Sequence, residues 1–170
     1  MRETSQEAST TRQAEAISGF ARSELFDRTF HEGMSLVEET AAYLDGTGRQ
    51  DSKLLSRSAA LAYASESMRL TTRLMQVASW LLVQRAVREG DMAPESALDA
   101  SYRLGAESED AHQTSPEPVP PTLAELVARS ERLFERVRHL DSRMYAPAAA
   151  EPEPHPVLSQ MERLKDAFGA

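Results

Sequence analysis

The 170-residue chain carries 19 Lys and Arg against 27 Asp and Glu, a formal charge of −8, and 41% of its residues are hydrophobic but only 6% aromatic. This acidic balance argues against nucleic acid as the main partner, because such binding depends on neutralising phosphates with Lys and Arg. The absence of cysteine excludes disulfides and thiolate chemistry. A core poor in aromatic side chains suits helices better than a sheet.

The predicted fold class is all-α, an antiparallel three-helix bundle over residues 23–144 with a very long second helix. Residues 1–22 are rich in Ser, Thr, Gln and charge, so we expect a disordered N-terminal arm. Residues 145–170 are rich in Pro, Ala and Glu and are expected to be a disordered C-terminal tail. No run of about 18 uncharged apolar residues is present, which favours a cytoplasmic location.

The first helix is predicted over residues 23–44, with Ser23 as its N-cap. Gly46 and Gly48 follow the last turn, where a residue in left-handed conformation would end the helix. Apolar residues recur at spacings of three and four and predict the buried face; they are Phe26, Phe30, Met34, Val37, Ala41 and Leu44.

The second helix is predicted over residues 52–89, since no Gly or Pro interrupts this stretch and Gly90 follows it. Large residues repeat every seven positions, and small residues repeat in the same register four positions later. Such a seam lets a neighbouring helix approach closely. The large set is Leu54, Leu61, Met68, Met75 and Leu82, and the small set is Ser58, Ser65, Thr72, Ser79 and Ala86.

A second apolar stripe runs along the opposite side of this helix and is formed by Leu70, Leu74, Val77, Trp80 and Leu81. A surface helix has one apolar stripe, so the second must be covered by another helix of the chain, a second subunit or a partner. We take it as a candidate dimer or partner interface. Arg69 and Arg73 would form its rim.

The third helix is predicted over residues 122–144 and starts with a capping box of Thr122 and Glu125. A short helix is expected at 94–104 and a flexible, acidic, Pro-rich loop at about 105–121. The third helix carries a heptad face thickened by Val127 and Phe134; its members are Leu126, Ser130, Leu133, Val137, Leu140 and Met144. The tail ends in a short amphipathic segment suited to a partner's groove, with Leu158, Met161, Leu164 and Phe168 on one side.

Charge differs between the first two helices, with one basic and six acidic residues over 23–46 and six basic and three acidic over 51–89. The two are therefore expected to pair as a hairpin. The basic set Arg69, Arg73, Arg85 and Arg88 would also suit nucleic acid, but a solvated face that pairs with the acidic helix is the simpler interpretation.

No catalytic, cofactor-binding or metal-binding residue is predicted. His31, His112, His139 and His155 are scattered over separate segments, no Gly-rich phosphate loop occurs, and no serine has the context of a nucleophile elbow. A small-molecule sensor with a pocket between helices remains an alternative from a different functional class.

The segments LFDRTFHEGM (25–34) and SESMRLTTRLMQVASWLL (65–82) resemble the RcdA family, regulators of CtrA degradation in alphaproteobacteria. The resemblance spans Leu25 to Gly90. It implies a homodimeric three-helix bundle that acts as an adaptor for the ClpXP protease and is recruited to a cell pole. It also implies binding to ClpX through a CpdR-like response regulator, a PopA-like cyclic-di-GMP effector as a further partner, and CtrA-like cargo.

Overall fold

The structure, a computed structural model, describes residues 2–105 and 117–145. These residues form five α-helices and two single-turn 3-10 helices, at Ser96–Leu98 and Ala100–Tyr102, and contain no strand. The predicted all-α class is confirmed, but the arrangement has five α-helices rather than three. They are α1 (Arg2–Ala21), α2 (Glu24–Asp45), α3 (Thr47–Ser52), α4 (Arg57–Glu89) and α5 (Pro121–Tyr145).

Helix α1 occupies the region predicted to be a disordered arm, so that prediction is wrong for residues 2–21. Ala14, Ile17 and Ala21 are buried, and the ring of Phe20 lies 5.6 Å from the Trp80 ring. Residues 2–21 are mostly polar, but these three buried residues recur at spacings of three and four and form a sparse apolar face. Tertiary packing of such a face stabilises a helix that local propensity alone would leave marginal.

Helix α2 begins as predicted, because the Ser23 hydroxyl accepts a 3.2 Å hydrogen bond from the backbone N–H of Phe26. It ends at Gly46, but with φ −101° rather than in the left-handed conformation that we expected. Its buried face is turned relative to the prediction, which places Phe30 at the border of the core and Ala41 in solvent. The buried residues are Phe26, Thr29, Gly33, Leu36, Thr40 and Tyr43.

The predicted helix over residues 52–89 begins later than expected, because α3 ends at Ser52, residues 53–56 are not helical and α4 starts at Arg57. The Ser56 hydroxyl accepts from the N–H of Ala59 and caps a new helix start, so a break occurs without Gly or Pro. Helix α4 then runs for 33 residues, about 50 Å. It ends at Gly90, whose φ of 82° is the left-handed C-cap that Gly adopts readily.

Helix α5 begins at Pro121, so Thr122 lies inside the first turn and is not the predicted N-cap. Proline fits this first turn because its missing N–H has no intrahelical acceptor there. The predicted buried face is confirmed at Leu126, Ser130, Leu133, Val137, Met144 and Phe134. The short helix predicted at 94–104 is instead the two 3-10 turns.

Candidate functional site: an uncharged face of helix α4

The stripe predicted as a partner interface is the centre of the core. Leu70, Leu74, Val77, Trp80 and Leu81 are each at most 4% exposed. Helices α1, α2 and α5 all pack on α4, and Gly33 on α2 lets Leu81 approach so closely that a Cβ there would lie 2.7 Å from its Cδ1. The prediction of a partner surface at these five residues is therefore wrong, because other helices of the same chain cover them.

The two arginines predicted to rim that surface are engaged within the chain. The buried Arg73 guanidinium donates to the Ser130 hydroxyl at 3.0 Å and lies 3.6 Å from the Glu131 carboxylate. Arg69 donates to Glu66 one turn before it, at 2.7 Å. These arginines tie α4 to α5 and to itself rather than forming the rim of an interface.

A buried carboxylate on α5 fixes the segment that follows α4. Asp141 accepts from the indole Nε1 of Trp80 at 2.9 Å, from the Arg103 guanidinium at 2.9 Å and from the backbone N–H of Leu104 at 3.3 Å. The segment at 96–105 is thus held against the bundle. Sequence analysis missed Asp141, for which the one signal was an acidic residue on the apolar face of α5.

Tyr145 adds a second attachment for the same segment. Its hydroxyl donates to the carbonyl of Ala97 at 2.5 Å, and the Arg103 guanidinium lies 4.8 Å above its ring. Burial, reinforced by the nearby Asp141 carboxylate, raises the pKa of Tyr145 to about 12. The hydroxyl therefore remains a hydrogen-bond donor up to strongly alkaline pH.

The heptad seam predicted to pack on a neighbouring helix faces solvent. Leu61, Met68, Met75 and Leu82 are 65%, 72%, 65% and 51% exposed. Leu54, the first member predicted, precedes α4 and is also exposed. The two apolar sides of this helix therefore have roles opposite to those predicted: the irregular stripe is buried, and the regular seam is open.

This open side has no charged residue at any exposed position from Ser58 to Leu82. The charged residues of that stretch are Arg73, which is buried, and Glu66 and Arg69, which pair with each other. Surface helices normally present a charged face to water, and a contiguous exposed apolar patch marks an interaction site. We call this surface the α4 face: Leu61, Ala64, Ser65, Met68, Thr71, Thr72, Met75, Ser79 and Leu82.

A groove adjoins the α4 face where residues 101–105 cross α4. It has a volume of about 410 Å³ and a mostly apolar surface, to which Met75, Trp80, Val83 and Tyr102 contribute. Among the described residues, Arg103 is the one charged residue that lines it. A concave, mostly apolar surface with a few polar groups is typical of a binding site, and the Arg103 guanidinium at its edge is held by Asp141.

The predicted pairing of acidic and basic helices occurs in part. Arg88 on α4 pairs with Asp27 on α2, but Glu39 and Glu32 of α2 pair with Arg129 and Arg136 of α5, at 2.8 and 2.5 Å. Arg85 bonds Glu89 at 2.8 Å and lies over the Phe30 ring at 5.3 Å. With the pairs of Arg69 and Arg73, all four arginines of the basic set are engaged within the chain. Arg88 pairs with the acidic helix as expected, whereas Arg73 is buried rather than part of a solvated face.

The structure bears on metal binding, membrane spans and the remaining predicted segments only within the residues that it describes. In the described ranges, no group of three His, Asp or Glu side chains is placed to hold a metal ion, and none of the helices there is long and apolar enough to cross a membrane. His112 and His155 lie outside the described residues, as do the centre of the predicted loop (106–116) and the tail segment with Leu158, Met161, Leu164 and Phe168.

Comparisons with known proteins identify the family. The family described as "Protein of unknown function (DUF1465)" matches residues 17–168. A search of the curated proteins found no match. Among solved structures, the crystal structure of RcdA from Caulobacter crescentus CB15 is 68% identical, with a TM-score of 0.63, over 75% of this chain and 97% of that one. The chain therefore belongs to the RcdA family, within DUF1465.

Proposed function

We propose that this chain is a non-enzymatic adaptor of the ClpXP protease that binds cargo proteins and delivers them for degradation. The support is its 68% identity to RcdA together with the α4 face, an open surface suited to protein contacts. In this proposal the partners are a CpdR-like response regulator that connects the chain to ClpX, a PopA-like cyclic-di-GMP effector, and CtrA-like cargo. Recruitment to a cell pole belongs to the same proposal.

The α4 face is the observation that carries the proposal. Met68 and Met75 lie at its centre, and methionine side chains adapt to differently shaped partners because they are unbranched and polarisable. Small residues such as Ser65, Thr72 and Ser79 separate the large ones, so a partner helix can approach closely between them. An adaptor needs such a surface and no chemistry of its own, because the protease breaks the peptide bonds.

In the free protein, we propose that a second copy of this chain occupies the α4 face. An uncharged face with alternating large and small residues is complementary to itself, as a two-fold symmetric dimer requires. Leu61, Met68, Met75 and Leu82 would interdigitate with the small residues of the partner's helix. No like charges would then be brought together across the centre of the contact.

Reconstituted degradation tests the adaptor proposal. Purified ClpXP, a CpdR-like regulator and CtrA-like cargo are combined with the wild-type chain, with M68E/M75E, or with A124E/S142E. The last variant adds the same two charges at exposed positions of α5 and is the matched control. We expect wild type and control to accelerate loss of cargo, and M68E/M75E to lower the rate towards that without adaptor. Equal rates with and without the wild-type chain would refute the adaptor function.

A further inference from the structure

The chain leaves the described bundle at the edge of the groove. Tyr145, the last residue described, is held on three sides: its hydroxyl bonds Ala97, its ring lies under Arg103, and its carbonyl accepts from the Gln13 side chain at 3.4 Å. Arg103 also lines the groove. The residues that follow Tyr145 therefore start beside the groove, at a fixed point.

The terminal segment has the chemistry that this groove accepts. Leu158, Met161, Leu164 and Phe168 share one side at helical spacing, next to Lys165. Glu162 borders that side and supplies a carboxylate for Arg103, which lines the groove. The match to the family extends to residue 168, so this segment belongs to the sequence pattern of the family. Apolar anchors and an acidic group thus meet an apolar groove with a cation at its rim.

The chain between Tyr145 and the terminal segment is long enough for that segment to reach the groove. Twelve residues lie between Tyr145 and Leu158, and the thirteen residue-to-residue steps can span up to about 45 Å. Met75 and Val83, which both line the groove, are eight residues apart on α4, about 12 Å along the helix. A segment tethered this closely is present at an effective concentration on the order of millimolar, so even weak contacts keep it docked.

We propose that the segment Leu158–Phe168 docks into the groove of its own chain. Its apolar side contacts Met75, Val83 and Tyr102 above the buried Trp80, and Glu162 pairs with the exposed part of the Arg103 guanidinium, which also bonds Asp141. Met75 and Ser79 belong to both the groove and the α4 face, so the docked segment and a second copy compete for the same part of α4. This competition rests on the dimer proposed above, whereas the docking itself does not.

The chain is well suited to a fluorescence test, because it has no cysteine and Trp80 is its only tryptophan. A bimane label on A167C is quenched when the segment lies in the groove, because the Trp80 indole is one of the groups that line it and this quenching acts only at short range. We expect the intensity to be several-fold lower than that of the same label on W80F/A167C. A label on A124C is the second reference, because it lies 17 residues before Asp141 on α5, about 25 Å away along the helix.

Two further samples show whether the terminal segment occupies the groove and whether it belongs to the same chain. Adding L164S and F168S to the labelled A167C chain removes the apolar anchors, and we expect full recovery of the intensity. Mixing labelled W80F/A167C with an excess of unlabelled wild-type chain reports docking into another molecule. Quenching in that mixture, or A167C as bright as its W80F counterpart, overturns docking within the chain.

The proposed dimer and the proposed docking of the terminal segment can be refuted independently of each other. L164S/F168S is expected to dimerise several-fold more tightly than the wild-type chain, because the competing segment is removed. If the wild-type chain and L164S/F168S are both monomeric while A167C remains quenched, the proposed dimer fails and the docked segment stands. If A167C is not quenched while dimers form, the docked segment alone fails.

Discussion

The indole N–H of Trp80 and the Asp141 carboxylate form a 2.9 Å hydrogen bond inside the bundle, where both residues are at most 3% exposed. It joins the middle of α4 to the end of α5. Because Asp141 also accepts from Arg103 and from the backbone of Leu104, the same carboxylate fixes the chain that crosses α4. One buried acceptor thus positions one wall of the groove that adjoins the α4 face.

Replacing Asp141 with alanine is expected to destabilise the fold. The substitution leaves the buried Trp80 N–H without an acceptor, which costs about 1–3 kcal/mol. Urea unfolding followed by helical circular dichroism measures the loss. Asp141→Asn keeps an acceptor oxygen and should restore part of the stability. Ser142→Ala, at the exposed neighbouring position, should leave the midpoint unchanged, and equal stabilities of wild type and Asp141→Ala would contradict the role of the buried bond.

Leu81 and Leu82 are adjacent leucines with opposite environments, at 0% and 51% exposed. Leu81→Ala should lower the free energy of unfolding by about 2–5 kcal/mol, because it leaves a cavity in the core. Leu82→Ala should change it by less than about 0.5 kcal/mol. Both are measured at low protein concentration, so that association does not contribute. A larger effect at Leu82 than at Leu81 would show that the orientation of α4 is wrong.

Both apolar sides of α4 can be recognised in the sequence, but the sequence does not predict which of the two is buried. Leu61, Met68, Met75 and Leu82 form the more regular repeat, and regularity suggested helix packing within the chain. Burial of the other side depends on its covering partners, such as Phe20 of α1 and Gly33 of α2, which lie far away in sequence. Charge placement did not resolve this, because the exposed positions around Met68 and Met75 have no charged residue, which is the pattern of a buried side.

Helix boundaries were predictable where a local interaction sets them. The Ser23 cap and the left-handed Gly90 both follow from residue type and position. The break at Ser56 and the helix at residues 2–21 were not predictable, because a serine inside an apolar pattern is ambiguous and α1 depends on contacts with distant residues. The inward-facing side of α5, by contrast, was predicted almost completely, since it has a single apolar stripe.

Gly33 and Gly19 offer a matched pair of substitutions. A Cβ at Gly33 would lie 2.7 Å from Leu81 Cδ1, whereas one at Gly19 meets nothing within 4 Å. Gly33→Ala should therefore destabilise by about 1–3 kcal/mol through overpacking. Gly19→Ala should stabilise by about 0.5–1 kcal/mol, because alanine favours the helix. Thermal unfolding of the two variants gives the comparison; a stabilising Gly33→Ala would mean that α2 and α4 are not in close contact there.

Alkaline pH should weaken the fold through two tyrosines. Burial raises the pKa of Tyr145 and of Tyr43 to about 12 in the folded protein, against about 10 when unfolded. Below pH 10 both states are protonated, and above it the unfolded chain loses its protons first, so stability falls as pH rises from about 10 to about 12. Urea midpoints on either side of pH 10 measure this loss.

Tyr43→Phe combined with Tyr145→Phe provides the control for that pH dependence. The double variant is less stable at neutral pH, because Tyr145 no longer donates to the Ala97 carbonyl. Its further loss between pH 10 and pH 12 should nevertheless be smaller than that of the wild-type chain. An equally steep loss in the double variant would assign the alkaline sensitivity to other groups.

The molar mass in solution tests most directly whether the α4 face is a protein-binding surface. Light scattering coupled to size exclusion is run on the wild-type chain, M68E/M75E and the control A124E/S142E over a range of concentrations, with circular dichroism to confirm that each is folded. We predict that wild type and control reach the mass of a dimer and that M68E/M75E remains a monomer. A dimer of M68E/M75E as stable as that of the wild-type chain would contradict the account.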